Sequence, residues 1–469
     1  MDTFMEPSRR IPVLGEFDVV VCGAGAAGCA ASIAAARHGA RTLVIERDGF
    51  LGGATVSQLV GHVLSTNGVD FQGIWHEWIA QVRERGGVSA PDLIGAPGLF
   101  RLGVDPEVVK YAWDDLLSVA GVEILHHAWC SDCMVEDGLV RGVIVETKAG
   151  RRAICAKRVI DCTGDGAVCA AAGVQWEQGD GTNPWSQALT KVFRMGNVRW
   201  PEGGYRPEQI TQARKALKQA VARGEFDSPV VANGRVITYS ANNNVHRSVA
   251  PHRTEMNVFS SRVLHVNTLD PWDFTRAERE GREQAWQCAE FIKRHVPGFE
   301  SSYLLDTNQH VGVRDTRRIK GRTTVTADDA RHFRKHAHGI AKSSWDIDMW
   351  PADSYDAPAV PREDPVYKRR IEQMKHGEYF DIPYGCIVAA DLDNLLVAGR
   401  CVSAERGAQA SLRIQQTCQS TGQAAGTAAA LSLQEDVTPA ELEPSRLVDQ
   451  LAADRAAVTP VLATLRDLT

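Results

Sequence analysis

Gly23-Ala24-Gly25-Ala26-Ala27-Gly28 sets three glycines in the G-x-G-x-x-G spacing, between an apolar run and an alanine-rich run. That pattern suits the holding of a diphosphate. The first glycine allows a tight turn, the second lets backbone approach the phosphates, and the third lets a helix pack closely on a strand. The helix that follows aims its free N–H groups and its positive dipole end at the anion. Glu46, at the end of the next apolar run, is placed to accept hydrogen bonds from a ribose 2′-hydroxyl and would repel a 2′-phosphate. A second glycine pair, Gly52-Gly53, follows with Ala54 and Thr55. Together these residues predict a dinucleotide site.

Markers of substrate chemistry are weaker. The densest positive cluster is Arg314, Arg317, Arg318, Lys320 and Arg322. If that segment is extended, Arg314 and Arg318 share a face while Arg317 turns with Asp315 to the other. Arg314 lies just after Gly312 and is the candidate to grip a substrate, an anionic group above all, because a guanidinium forks onto two oxygens. His246 and His252, each followed by an arginine, are the candidate acid–base groups, since imidazole titrates near neutrality. His62, shortly after the glycine pair, is a candidate to approach a cofactor. Two groupings are discounted. Cys130-Ser131-Asp132-Cys133 has redox-type C-x-x-C spacing, but residues three apart on a strand face opposite sides. His332, His336 and His338 lack the acidic partner of an H-E-x-x-H helix, so no metal is expected.

The elements that must position these groups are legible around them. Asp18 to Cys22 reads as a buried parallel strand, Cys29 to His38 as a helix ending at Gly39, and Arg41 to Glu46 as the next strand. Asp105-Pro106 starts a helix running to about Val119. Three strand-like segments from Val122 to Ile160, punctuated by Asp137-Gly138 and Ala149-Gly150, predict an antiparallel meander. Arg276 to His295 reads as a long helix, and Thr326 with Asp329 as a capping box. Asn394 to Gly399 returns to buried-strand character before one long small-residue helix, Ala408 to Leu433, whose positive end would stabilise charge gained by a reduced cofactor.

Composition narrows the class. The chain has 469 residues, 44% hydrophobic and 23% charged, with a net charge of −6. No basic excess points to nucleic acid. The uncharged run Val19–Ala36 is explained by strand, turn and helix, so no membrane partner is expected. Eleven scattered cysteines, an odd number in apolar surroundings, fit reduced thiols and a cytoplasmic protein. The expected units are 1–174 as the first part of a nucleotide domain, 175–383 as an inserted substrate domain, 384–435 as the second part, and 436–469 as a helical tail.

The run from Asp18 to Thr55 resembles the FAD-binding start of glutathione-reductase-type flavoproteins. Val159-Ile160-Asp161-Cys162-Thr163-Gly164 resembles the segment that returns the chain to the cofactor, and Leu395-Leu396-Val397-Ala398-Gly399-Arg400 the C-terminal flavin-contacting strand. With Gly312-Val313-Arg314-Asp315-Thr316-Arg317-Arg318-Ile319-Lys320-Gly321, these motifs are similar to those of the FAD-dependent oxidoreductase family. The resemblance implies an α/β fold: a Rossmann FAD-binding domain with an antiparallel meander and an inserted α+β substrate domain. It implies FAD contacts at Gly23, Gly25, Ala26, Ala27, Gly28, Glu46, Arg47, Gly52, Gly53, Thr55, Thr163, Gly164, Gly399 and Arg400, and at Cys130, on the strand that passes the adenine. Many relatives carry an aspartate where Arg400 stands. No second G-x-G-x-x-G unit is present for a nicotinamide cofactor. The expected activity is therefore oxidation of a small organic substrate by hydride transfer to flavin N5, with O2 or another acceptor closing the cycle. A flavin monooxygenase and a non-catalytic FAD-binding subunit are the alternatives, and the oligomeric state is left open.

Overall fold

A computed structural model describes residues 3–66, 72–89, 92–93, 99–199, 207–232, 246–247, 254–355, 365–456 and 458. The first strand, β1 (Val13–Cys22), leads through the glycine loop into α1 (Ala26–Arg37) and back to β2 (Thr42–Ile45), which runs parallel to β1 with Val20 opposite Leu43. Val19 and Val21 pack into one apolar cluster and Val20 and Cys22 into another. The strand is thus buried on both faces, which is why its sequence is continuously apolar rather than alternating. After the short helix α2 (Ala54–Ser57), α3 (Pro106–Val119) is capped by Asp105, whose carboxylate accepts the N–H of Glu107 at 2.9 Å.

The meander differs from its expectation at the first strand. Residues Glu123–Leu125 (β3) pair parallel with β2 and extend the nucleotide sheet. The meander proper is β4 (Trp129–Glu136), β5 (Leu139–Thr147) and β6 (Gly150–Asp161), and β6 also lies parallel to β1. Its C-terminal end serves two sheet partners, because Val159 stands opposite both Val20 and Leu395.

A four-stranded antiparallel sheet forms a second layer, in the order His246–Arg247, Met256–Val258, Phe193–Gly196, Tyr303–Thr307. The long helix α4 (Pro271–His295) starts five residues earlier than expected, because Asp270 caps it and Pro271 opens it. Its Phe291 and Ile292 close a core with Phe193, Met256 and Val258. The hairpin Gly339–Ser343 with Phe380–Pro383 belongs instead to the large core around α1. Leu395–Val397 (β7) then rejoins the parallel sheet through β6.

The long C-terminal helix is two helices, α5 (Arg406–Leu412) and α6 (Gln415–Gln434). Ile414 is extended between them, with ψ 153°, and Arg413 donates to the Asp348 carboxylate at 3.0 Å. The break gives α6 its own N-terminus. α6 packs against α1 at glycine distance, since a Cβ on Gly422 would sit 2.1 Å from the Ala27 carbonyl oxygen. Among the described residues, no helix is long and apolar enough to cross a membrane. All eleven cysteines are free thiols.

Candidate functional site

The glycine loop, the second glycine pair, the Thr163 turn and the Gly399 corner meet directly. A Cβ on Gly28 would lie 1.8 Å from the Gly23 oxygen, so α1 can approach β1 only with hydrogen at that position. A Cβ on Gly53 would lie 2.7 Å from Gly25 Cα, and Gly53 has φ +50°. On the other sides, Gly23 abuts Cys162 and Thr163, and Gly399 abuts Ala27. Four segments far apart in the chain therefore share one backbone-lined corner, with Ala26 in the first turn of α1. Gly52 donates its N–H to the Ala24 oxygen at 2.9 Å, tying the second pair to the first loop.

The electrostatics of this corner suit an anion. Gly25 caps α1 without a side chain, and no acidic residue occupies the first turn of α1 or of α6. Glu46 is 7% exposed and accepts the N–H of Ala24 at 2.7 Å and of Asp48 at 3.0 Å. Burial raises its pKa, and those two N–H groups oppose the shift. Each carboxylate oxygen keeps a second lone pair, so ribose hydroxyls can still bind. Thr55 donates to Gln415 at 2.7 Å, which joins α2 to the start of α6. On α5 and α6, Gln409 Oε1, Gln416 Oε1, Thr417 Oγ1 and Gln419 Oε1 are buried without hydrogen-bond partners. Buried polar atoms of this kind call for a ligand or water. The corner thus fits a bound dinucleotide.

Arg47 and Cys130 flank Glu46 differently from expectation. The thiol of Cys130 packs toward the core, and the exposed side chain beside Glu46 is Trp129, over whose ring the Arg47 guanidinium lies at 5.2 Å. Trp129 opens the strand expected to pass the adenine and is not among the residues the sequence singled out. The C-x-x-C argument also needs correction. The register steps from Cys130↔Val145 to Asp132↔Ile144 and Cys133↔Val143, so Ser131 is an inserted residue. This bulge turns both cysteines onto the same face, toward the core. Burial pushes the Cys133 thiol up to about 12, which leaves it a poor nucleophile at neutral pH.

The arginine cluster is dispersed. Only Arg318–Ile319 is strand, so the alternation expected for Arg314, Arg317 and Arg318 does not apply. Arg314 Nη1 donates to the Ala188 oxygen and to Thr190 Oγ1 at 3.0 Å, and its guanidinium lies 5.8 Å from the Trp350 ring. Arg317 reaches the Asp165 oxygen at 3.1 Å, and Arg318 reaches the Gly179 oxygen at 3.2 Å. Lys320 binds Glu177, and Arg322 binds Asp393 at 2.6 Å. Arg400 is a brace: it donates to the Gly164 oxygen at 2.8 Å, to the Val313 oxygen, and to Asp165 at 2.7 Å. Thr163, next in line, is held by Asp161 through N–H and hydroxyl at 3.0 and 2.7 Å. Gln409 joins the two arginine segments by donating to the carbonyls of Arg314 and Arg400.

Of the histidines, His246 lies on an edge strand opposite Asn257, and His252 lies outside the described residues. His62 sets its ring edge-on to Phe259 at 5.0 Å, and its carbonyl accepts from Gln415. His332 pairs with Asp328 at 3.0 Å. Among the described residues no group of metal-ligating side chains forms. His310, which no sequence signal marked, bonds Asp48 at 3.0 Å and so ties the Thr190–Gly312 region to the strand end that carries Glu46.

Comparison with known proteins adds the following. The sequence pattern of the family described as "FAD dependent oxidoreductase" matches residues 18–451. A digeranylgeranylglycerophospholipid reductase of Methanopyrus kandleri is 35% identical over 157 residues, which is 32% of this chain and 38% of that protein. A thiamine thiazole synthase of Aeropyrum pernix is 32% identical over 164 residues, 32% of this chain and 56% of that protein. The chain thus matches less than two thirds of the length of these relatives. A geranylgeranyl bacteriochlorophyll reductase-like structure from Thermoplasma acidophilum aligns over 94% of this chain and 84% of its own at 12% identity, with a TM-score of 0.49.

Proposed function

The chain belongs to the FAD-dependent oxidoreductase family, and from that membership we propose that it oxidises a small organic substrate which itself reduces the cofactor. The protein binds FAD and is an enzyme. FAD, when bound, supplies the two-electron acceptor, taking a hydride at flavin N5. The protein's own contribution is placement. The N-terminus of α1 would hold the diphosphate and Glu46 the ribose hydroxyls, while Gly53 and Gly399 let their segments close on Gly25 and Ala27 to form the corner. The uncapped start of α6 would favour the negative charge gained on reduction. Arg314, fixed by Ala188 and Thr190, offers a positioned positive edge to a substrate oxygen.

One observation carries the choice of substrate-driven reduction. Among the described residues one mixed sheet carries a single glycine-rich strand–loop–helix on its parallel strands, and the remaining sheets are antiparallel. That supports electrons arriving from the substrate rather than from a nicotinamide dinucleotide held in a domain of its own. The free thiols, most of them buried, support a reducing compartment such as the cytoplasm.

The test is anaerobic. Yellow holoprotein mixed with a panel of small metabolites should lose its oxidised-flavin absorbance with at least one of them, without NAD(P)H. Bleaching by NAD(P)H alone would favour a monooxygenase, and no bleaching by any reductant would favour a non-catalytic subunit. Arg314→Lys should retain FAD yet be reduced by that substrate ~10–100-fold more slowly, about 1.4–2.7 kcal/mol of barrier. Reduction at the parent rate would make Arg314 structural.

A further inference from the structure

At the rim of the nucleotide corner an indole and a guanidinium, Trp129 and Arg47, stand beside Glu46 with no duty in the chemistry above. We propose that Trp129 is the residue on which the adenine of FAD stacks, with Arg47 at its edge, and that it adds to the preference for FAD over FMN. This seat presupposes FAD as the cofactor and gives its base a partner.

The order of the strands places the pair. β2 lies between β1 and β3, and all three run parallel, so their C-terminal ends follow one another along the same edge of the sheet. After β1 comes the glycine loop, after β2 comes Glu46, and after β3 comes the segment that leads to Trp129. That segment is fastened along Glu46. Glu46 donates its N–H to the Leu125 oxygen at 2.9 Å, and Ala128 donates its own to the Glu46 oxygen at 3.1 Å. His126 Nδ1 also bonds the Asp48 oxygen at 3.0 Å. A ribose whose 2′-hydroxyl meets Glu46 has its diphosphate on one side, at the glycine loop, and its base on the neighbouring carbon C1′. The 5′ and 1′ substituents leave a ribose on opposite sides of its ring oxygen. With the diphosphate toward β1, the base therefore extends toward β3 and Trp129.

The pair is open to receive it. Trp129 is 53% exposed with Arg47 in place, so the guanidinium at 5.2 Å does not close over the indole. Among the described residues Arg47 makes no hydrogen bond. It stands 4.0 Å from the Asp48 carboxylate, whose oxygens His310 already engages at 3.0 and 3.3 Å. Adenine supplies what both groups lack: a flat π face for the indole, and ring nitrogens that accept from guanidinium N–H groups. The isoalloxazine cannot take this place, because it lies beyond the other end of the diphosphate.

The experiment separates the base from the rest of the cofactor. The full-length chain freed of flavin is titrated with FAD and with FMN, which shares the isoalloxazine and one phosphate but lacks adenosine. Trp129→Ala should weaken FAD about tenfold or more, the scale of one base–aromatic stack, and leave FMN affinity as in the parent. Trp129→Phe should recover most of the loss, since a benzene ring still stacks. Melting of the three flavin-free proteins should coincide, because the side chain is exposed. FAD affinity unchanged in Trp129→Ala, an equal loss for FMN, or no recovery with phenylalanine would overturn the proposal. A parent protein that takes up neither flavin would sink the cofactor assignment itself.

Discussion

Around Gly25 and Gly53 the protein uses almost no side chains, whereas around Arg314 and Arg400 it uses long charged ones. The first region gains its shape from missing atoms: hydrogen stands where any Cβ would strike backbone, as at Gly28 and Gly53. The second is held by guanidinium groups reaching carbonyls and carboxylates from distant segments, as Arg400 does at Gly164, Val313 and Asp165. Backbone geometry tolerates no substitution, because an added atom cannot rotate away. An ionic brace can be weakened by degrees, because each of its bonds contributes separately. The two regions should therefore fail differently.

The sharpest way to break that contrast is a single methyl group. Gly28→Ala, with its Cβ at 1.8 Å from the Gly23 oxygen, and Gly422→Ala, at 2.1 Å from the Ala27 oxygen, should each destabilise by about 3 kcal/mol or more. Thermal unfolding would show a lowered midpoint together with loss of bound FAD. A Gly28→Ala protein with parental melting and full FAD content would mean that α1 does not pack as described.

The next effect belongs to the brace. Arg400→Met should cost roughly 2–3 kcal/mol in denaturant unfolding, since its pair with Asp165 is largely shielded from water. Arg400→Lys should recover only part of this, as one ammonium lacks the planar fork that spans these acceptors. Equal stability of all three proteins would show the brace to be incidental.

Glu46 sits where the two regions' logics meet, a charged side chain inside the backbone-built corner. Burial raises its pKa above the ordinary glutamate value. The stability it contributes is therefore full below about pH 4.3 and lost as pH rises through its raised folded value. Glu46→Gln should flatten that decline in FAD-free protein, whatever its constant offset. It should also weaken FAD about tenfold, for one charge-assisted bond of ~1.5 kcal/mol. An unchanged pH profile and unchanged FAD affinity would displace the acid from both roles.

The smallest effect is expected at His310. Burial would push the Asp48 pKa up, but the His310 hydrogen bond and nearby positive groups outweigh it and hold the value low. This stability is present above the ordinary aspartate value near pH 3.9 and lost as pH falls through the lower folded one. His310→Ala should raise the acid-unfolding midpoint slightly, by less than ~1 kcal/mol at this part-exposed pair. A lower midpoint would contradict the contact.

Legibility followed the same divide. The strand–glycine–helix–acid unit, the Asp105 cap and the Thr326–Asp329 capping box were readable because each depends on residues a few positions apart. The break at Ile414 was not readable, since the small residues on either side of it favour one continuous helix and Arg413 finds Asp348 only in the fold. Nor was the bulge at Ser131, which depends on how β4 registers with β5.

By itself the sequence determined the glycine-rich turn and helix start at the end of a parallel strand, because a glycine's freedom and a helix's dipole are local properties that travel with the residues. Only the tertiary structure decided what the arginines do. Arg400 meets a carbonyl 236 positions away and Arg314 one 126 positions away. A guanidinium donates to any oxygen the fold brings within reach, so its partner is set by chain topology and not by its neighbours.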